Sequence, residues 1–150
     1  MVINVGLLKS GDLVGLYNDI SSVASAAADV PVKVIIETSL LTKEQKISAS
    51  VIAALAGGAY VKTSTGFNGG GATVEDVELM YQAVAFKKGA VKVKASGGVR
   101  SFEYAQLQFD RFPRPHNSPG QPSPCCAPEP TDLGRRLVFQ LSLGDRKSVV

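Results

Sequence analysis

The chain has 150 residues, of which 45% are hydrophobic and 7% aromatic, and its formal net charge is +3. This length and composition suit one α/β domain and are too small for two domains of ordinary size. The small charge excess argues against a nucleic-acid partner, because such partners are bound by densely basic surfaces. No apolar run approaches the roughly 20 residues of a membrane helix, so we expect a soluble, cytoplasmic protein with no membrane partner.

Four short apolar segments are predicted to be β-strands. They begin near Val2, Val32, Ala59 and Val91, which is close to the spacing of βα units of roughly 30 residues. Three stretches between them carry apolar residues at helical spacing, over residues 13–20, 47–55 and 77–84. Because strands and helices alternate with short connections, we expect a parallel sheet with right-handed crossovers.

The predicted helices carry matching end signals. Thr42 and Gln45 have the spacing of a capping box, and Thr73 precedes two acidic residues of the next helix. Gly57 and Gly89 follow the second and third helices, where glycine commonly ends a helix. These signals place the helix boundaries where the periodicity also places them.

Composition changes after about residue 105. Seven of the eight prolines and five of the six arginines lie in residues 106–150, together with Cys125, Cys126 and the single histidine, His116. Prolines interrupt helices and central strands, so we expect a largely disordered tail with one short strand or helix within 137–143. The cysteines and histidine do not supply the four ligands of a zinc site, and no metal is expected.

Two lysines stand at the ends of predicted strands. Lys62 is followed by Thr-Ser-Thr-Gly-Phe, and Lys94 by Ala-Ser-Gly-Gly-Val-Arg. If their strands are neighbours in a parallel sheet, about 4.8 Å apart, the two ammonium groups approach each other over one edge. At about 6 Å and an effective dielectric of about 20, they repel by about 2.8 kcal/mol. The repulsion favours loss of one proton, which provides the free amine needed for a Schiff base.

The loops after these lysines have the composition of anion-binding turns. Thr65–Gly66 and Gly97–Gly98 allow backbone N–H groups to approach an anion closely, and the positive ends of helices follow. An amine beside such turns indicates a phosphorylated carbonyl compound as ligand. Gly69–Gly71 is interpreted as flexible loop closure, not as a phosphate contact.

Two other charged groups are weaker candidates. Lys92 lies on the same side of its strand as Lys94, but only Lys94 is followed directly by small residues and the glycine pair. Glu37 ends the second predicted strand, where a structural hydrogen-bonding role is favoured over a role as acid or base.

Several motifs together resemble one enzyme family over residues 1–105. They comprise Val2-Ile3-Asn4-Val5-Gly6, Leu8-Lys9-Ser10-Gly11, Val34-Ile35-Ile36-Glu37-Thr38, the Lys62 motif, Gly70-Gly71-Ala72-Thr73 with Glu75-Asp76-Val77, and the Lys94 motif through Arg100. The sequence resembles deoxyribose-phosphate aldolase, a class I aldolase with a TIM-barrel fold. The resemblance implies an α/β fold with about four central βα units of a (β/α)8 barrel in residues 1–105, and an unmatched tail in 106–150.

The resemblance also implies roles for individual residues. Lys62 matches the Schiff-base lysine, and Lys94 matches the second lysine, which perturbs the first. The positions that match phosphate-binding residues are Thr65, Gly66, Gly97 and Gly98. The implied reaction is reversible cleavage of 2-deoxy-D-ribose 5-phosphate to D-glyceraldehyde 3-phosphate and acetaldehyde, a step of deoxyribonucleotide catabolism. It needs no cofactor, and the resemblance is compatible with a homo-oligomer.

The same resemblance implies that parts of the family's barrel lie outside this chain. The family's proton-relay aspartate aligns directly before Met1, and the first three strands and the eighth strand are absent. Four strands do not close a barrel, so the alternative is a non-catalytic fragment that binds phosphate or associates through open sheet edges. A pyridoxal phosphate site is disfavoured, since no carboxylate or arginine is obviously placed for the pyridine nitrogen.

Overall fold

The computed structural model describes residues 1–98 and, for the backbone, residues 137–140. The helices are α1 (Val5–Ser10), α2 (Leu13–Ala26), α3 (Lys43–Leu55) and α4 (Val74–Val84), and the strands are β1 (Lys33–Ile35), β2 (Tyr60–Lys62), β3 (Lys92–Ser96) and β4 (Leu137–Gln140). Short 3-10 turns cover Thr38–Leu40 and Ala85–Lys87. The three predicted helices and the last three predicted strands are confirmed.

The described strands form one parallel sheet in the order β1-β2-β3-β4. β4 falls within the segment predicted as a short strand or helix, and it pairs with β3 so that Val93 lies opposite Leu137. The other residues of the predicted tail, with Cys125, Cys126 and His116, lie outside the described residues. As predicted, α3 connects the parallel strands β1 and β2, and α4 connects the parallel strands β2 and β3.

The first predicted strand is largely wrong. Val2 forms an isolated parallel bridge with Ile35, and the chain then turns into α1. The side chain of Asn4 accepts a hydrogen bond from Leu7 N at 3.2 Å and caps this helix. β-branched residues suggested a strand here, but the asparagine cap satisfies a free N–H group of the first turn and favours the helix.

The core lies between one face of the sheet and the helices. Val34, Val61 and Val93 occupy one row across β1, β2 and β3, and all three are fully buried. Burial of one valine side chain stabilises the fold by about 1.5–3 kcal/mol. Since side chains alternate along a strand, the neighbouring positions of each strand project to the opposite face. That opposite face carries the lysines.

The predicted helix signals are observed at α3 and α4. Thr42 and Gln45 form a reciprocal capping box at the start of α3, and the Thr73 side chain accepts a hydrogen bond from Asp76 N at the start of α4. Within residues 1–98 and 137–140, each helix is too short or too polar to cross a bilayer.

Candidate active site

Lys62 and Lys94 lie directly opposite each other on neighbouring parallel strands. The backbones of such strands are about 4.8 Å apart, so the two side chains leave the sheet side by side on the same face. Ile36 N donates to Lys62 O at 3.0 Å, and Thr63 N donates to Lys94 O at 3.1 Å. Backbone hydrogen bonds thus fix the pair in the arrangement that the sequence predicted.

The sheet face that carries this pair is rich in lysine. Lys33, Tyr60 and Lys92 form the row before Lys62 and Lys94 and project to the same face. The Lys33 and Lys92 ammonium groups lie 5.5 and 5.7 Å from the centre of the Tyr60 ring, within range of cation–π attraction. Among the described residues, the observed ion pair joins Lys46 and Asp76, and none of these four lysines forms one.

This concentration of positive charge changes the acidity of Lys94. Partial burial lowers the pKa of Lys94 below its usual value, and the positive charges of Lys33 and Lys62 lower that pKa further. Both causes disfavour the charged ammonium form. The lysine face thus favours a neutral amine at Lys94 at lower pH than in free lysine.

The two glycine-containing turns after the lysines are brought into contact. Ala72 N donates to Gly97 O at 2.9 Å. A Cβ atom on Gly71 would lie 2.9 Å from both the carbonyl carbon of Gly97 and the Cα of Gly98, closer than real Cβ contacts. Glycine at position 71 is therefore needed for close backbone packing. The prediction of flexible loop closure for Gly69–Gly71 does not account for this packing.

Left-handed backbone at these turns explains the other glycines. Gly66, Gly97 and Gly98 have φ angles of 97°, 76° and 73°, in the region that favours glycine. Among the described residues, no acceptor is found for the Gly66 N–H group. The predicted phosphate-binding glycines thus lie in one backbone cluster at the ends of β2 and β3.

Thr65, the remaining predicted phosphate contact, is bound to Glu37. Its N–H lies 3.2 and 3.3 Å from the two carboxylate oxygens of Glu37, and its hydroxyl donates to one of them at 2.5 Å. Glu37 is 1% exposed. The hydrogen-bonding role predicted for Glu37 agrees with this contact, and both donors of Thr65 are occupied by it.

The ends of β1 and β2 also bury three other hydroxyl groups. Thr63 Oγ1 donates to Ser96 O at 3.1 Å and accepts from Ser96 N at 3.0 Å, which joins β2 to β3 beyond Lys62. Thr38 Oγ1 and Ser64 Oγ are buried without a hydrogen-bond partner among the described residues. Each such buried hydroxyl lacks the compensation that usually accompanies burial of a polar group.

Comparison with known proteins gives one consistent result, although no family model matches this chain. Deoxyribose-phosphate aldolase from Brevibacillus brevis is 56% identical over 110 residues, which are 73% of this chain and 48% of that protein. A solved structure described as a deoxyribose-phosphate aldolase from Coccidioides immitis is 45% identical with a TM-score of 0.67, over 72% of this chain and 43% of that chain. The tetrameric deoxyribose phosphate aldolase from Aeropyrum pernix is 31% identical with a TM-score of 0.57, over 64% and 41% of the respective chains.

The matched part of this chain belongs to the deoxyribose-phosphate aldolase family. The chain spans about half the length of the curated relatives it matches. Its described strands and helices are accordingly part of a (β/α)8 barrel of the aldolase type, as predicted. The comparisons do not favour the alternative of a non-catalytic fragment.

Lys33 lies on the lysine-rich sheet face but was not predicted from the sequence to belong to the site. Lys33 acts on the pKa of Lys94, although the two residues are 61 positions apart and lie on strands that are not adjacent in the sheet. Alignment of the three predicted strands places Lys33, Tyr60 and Lys92 at one position and Ile35, Lys62 and Lys94 two residues later. Because residues two apart in a strand share a face, this alignment would have placed Lys33 on the same face as Lys94.

A groove of about 440 Å³ lies between α3 and α4. It is lined by side chains of both charge signs, which include the Lys46–Asp76 ion pair of 2.6 Å. None of the residues predicted for the active site lines this groove. Within residues 1–98, no group of three or more His, Cys, Asp or Glu side chains is placed to hold a metal ion.

Proposed function

We propose that this chain carries the imine-forming site of a deoxyribose-phosphate aldolase and that Lys62 is the nucleophile. The observation that carries the proposal is the register of Lys62, the last residue of β2, opposite Lys94, which lies two residues before the carboxyl end of β3. In (β/α)8 barrels the active site lies at this end of the strands. The family relationship supports the same assignment.

The proposed reaction uses the iminium ion formed on Lys62 as an electron sink. The amine attacks the C1 aldehyde of 2-deoxy-D-ribose 5-phosphate, and loss of water with uptake of one proton leaves the iminium ion. The bond between C2 and C3 then breaks, the C3 hydroxyl loses its proton, and D-glyceraldehyde 3-phosphate departs. The electron pair of that bond forms an enamine on Lys62, which is protonated at C2 and hydrolysed to acetaldehyde.

Lys94 is proposed to assist by charge and proton transfer. Its pKa is lowered by partial burial and by Lys33 and Lys62, so its amine is available to accept a proton at lower pH than an ordinary lysine. Its position opposite Lys62 supports a direct effect on the imine-forming amine. In this role Lys94 does not form the covalent bond.

The substrate phosphate is proposed to bind at the glycine turns. Gly66, Gly97 and Gly98 lie in the same backbone cluster, and the Gly66 N–H group has no acceptor among the described residues. Thr65 was predicted as a further contact, and its bond to Glu37 makes its proposed contribution one of loop position. Backbone N–H groups in such turns are suited to phosphate oxygens.

The remaining assignments also belong to this proposal. They are acetaldehyde as product, a cytoplasmic location, the division into an aldolase part at 1–105 and a separate segment at 106–150, and assembly into a homo-oligomer. The tetrameric relative from Aeropyrum pernix supports the last of these. No cofactor takes part in the proposed chemistry.

Trapping of the imine tests the proposal directly. The folded chain is incubated with acetaldehyde and borohydride, and peptide mass mapping locates the reduced two-carbon adduct. We expect the adduct on Lys62, much slower labelling in Lys94→Met, and no adduct at this site in Lys62→Met. Lys92→Met is the matched control, because Lys92 lies on the same face one row away.

The pattern of labelling decides between specific and ordinary amine chemistry. Equal labelling of Lys62, Lys92 and the surface lysine Lys87 would contradict the proposal. Absence of any adduct on Lys62 in folded protein would contradict it as well. Protection of Lys62 by deoxyribose 5-phosphate, with no protection by deoxyribose, would add support for the phosphate subsite.

A further inference from the structure

We propose that Glu37 is a positioning residue that holds the turn after Lys62 in the form that binds the substrate phosphate. The inference rests on the proposed function for the identity of the anion. The contact itself is present in the structure, since the Glu37 carboxylate binds both the N–H and the hydroxyl of Thr65. Thr65 follows Lys62 by three residues.

Two features of Glu37 are energetically unfavourable and are not explained by packing. Its side chain is 1% exposed, and among the described residues no cation pairs with it. Burial of a carboxylate without a cation is unfavourable unless hydrogen bonds compensate for the lost water. Its backbone is also left-handed, with φ 55° and ψ 67°, a conformation that is unfavourable for a non-glycine residue.

Both unfavourable features accompany the contact between Glu37 and Thr65 at the end of the sheet. β1 and β2 are adjacent, and Thr38 N donates to Thr63 O at 2.9 Å just beyond the strands. Glu37, with its left-handed backbone, lies two residues after the end of β1 and is followed directly by the 3-10 turn Thr38–Leu40. Its carboxylate meets Thr65, the third residue after β2, directly before Gly66. Strained residues are concentrated at functional sites, which favours a role beyond packing.

The contact determines which donors remain for an anion. The single hydroxyl proton of Thr65 and its N–H are both given to Glu37, while the Thr65 hydroxyl oxygen accepts from Phe67 N at 3.3 Å. The Gly66 N–H between these two groups is left without an acceptor among the described residues. Glu37 thus fixes the turn on both sides of the N–H that is proposed to bind phosphate.

Glu37→Gln tests this role, because glutamine keeps the shape of the side chain and removes its charge. We expect faster hydrogen–deuterium exchange in the segment 63–72, and inorganic phosphate bound about tenfold more weakly by phosphorus NMR, since a hydrogen bond to a charged group is lost. Labelling of Lys62 by acetaldehyde should stay within about twofold of the wild type, because acetaldehyde carries no phosphate. Glu75→Gln, at an exposed position, is the control and should change none of these values.

Thr65 supplies a second pair of variants if Glu37→Gln does not fold. Thr65→Val removes the hydroxyl at constant shape and should loosen the same segment, whereas Thr65→Ser keeps the hydroxyl and should behave as the wild type. Unchanged exchange and phosphate affinity in both Glu37→Gln and Thr65→Val would overturn the inference. A parallel loss of phosphate binding and acetaldehyde labelling would overturn it too, since that result indicates a general structural role.

Failure of the proposed function has a different signature. It is read in the wild type as absence of an adduct on Lys62, whereas the role of Glu37 is read as a difference between variants in exchange and phosphate affinity. Wild-type protein that does not bind inorganic phosphate at all would overturn the positioning role for phosphate.

Discussion

Charge repulsion among lysines is the main electrostatic feature at the residue scale. Lys33, Lys62, Lys92 and Lys94 share a sheet face on which no described carboxylate pairs with them. Of the four, Lys94 has its pKa lowered by partial burial and by the charges of Lys33 and Lys62, which favours its neutral amine form. The aromatic ring of Tyr60 between Lys33 and Lys92 offers those two charges partial compensation.

Replacement of Lys33 by methionine should raise the pKa of Lys94. The positive charge of Lys33 is one of the causes that lower this pKa, and methionine removes the charge while keeping much of the side-chain volume. Carbon-13 NMR titration of the lysine Cε signals measures the change. Lys87→Met is the control, because Lys87 also lies over an aromatic ring, 5.7 Å from the centre of Phe86, but away from this face; an unchanged Lys94 pKa in Lys33→Met would contradict the prediction.

The buried hydroxyl groups should respond oppositely to removal. Thr38→Val deletes a hydroxyl without a partner among the described residues, so the free energy of unfolding should rise or stay within about 0.5 kcal/mol. Thr63→Val deletes a hydroxyl that makes two hydrogen bonds to Ser96, and it should cost about 1–3 kcal/mol. Urea unfolding measures both. Equal losses in the two variants would show that Thr38 has a polar partner in solution.

Residue patterns predicted part of this site. Lys62 and Lys94 could be found because each belongs to a short β-branched segment that leads into a glycine-containing turn, although β3 continues for two residues beyond Lys94. The contact of Glu37 with Thr65 could not be found, because it joins residues 28 positions apart through a side chain whose direction depends on a left-handed backbone. Lys33 was missed because it has no glycine turn of its own.

At the scale of elements, the close contact between two loops matters most. Gly71, which precedes α4, packs against Gly97 and Gly98, which follow β3. This contact joins the turn after Lys62 to the turn after Lys94. The two proposed halves of the phosphate site therefore form one unit of backbone.

Gly71→Ala should separate these two turns. The new Cβ would lie 2.9 Å from backbone atoms of Gly97 and Gly98, so the backbone must move, at a cost of about 1–3 kcal/mol in unfolding free energy. Gly69→Ala is the comparison, because its Cβ would meet open space and only its φ of 69° is strained. Thermal unfolding and exchange in segment 63–72 measure the difference, and a smaller effect for Gly71→Ala than for Gly69→Ala would contradict the prediction.

Elements with two independent signals were predicted well. α3 has both apolar periodicity and the Thr42 capping box, and β2 and β3 have β-branched residues bounded by glycine. α1 was missed because its six residues are too few to show a period, and because the preceding Val2–Ile3 favours a strand. Its cap, Asn4, was the available signal.

At the scale of the whole molecule, the described part has one face packed on helices and one face of lysines. Val34, Val61 and Val93 provide the packed face. The lysine face includes Lys94, whose pKa is lowered in the folded protein. Folding stability is therefore linked to the protonation of Lys94.

The free energy of unfolding should depend on pH through Lys94. Its pKa is lowered in the folded state, so between that pKa and the ordinary value of 10.5 the unfolded chain binds more protons. Stability should therefore rise with pH across this window. Lys94→Met lacks the effect, so its stability relative to the wild type should fall as pH rises. Urea unfolding at several alkaline pH values measures this, and a difference that is independent of pH would contradict the prediction.

The alternation of side chains along β2 also limits how the coding sequence can change in length. Deletion of one residue between Tyr60 and Lys62 would turn the lysine toward the helices, into the position where Val61 is fully buried. Loss of a single codon there would bury an ammonium ion and displace Lys62, the proposed nucleophile. Length changes in the turn between α4 and β3 leave the alternation of both strands intact. Insertions and deletions should therefore be tolerated between α4 and β3 and eliminated within β2 and β3.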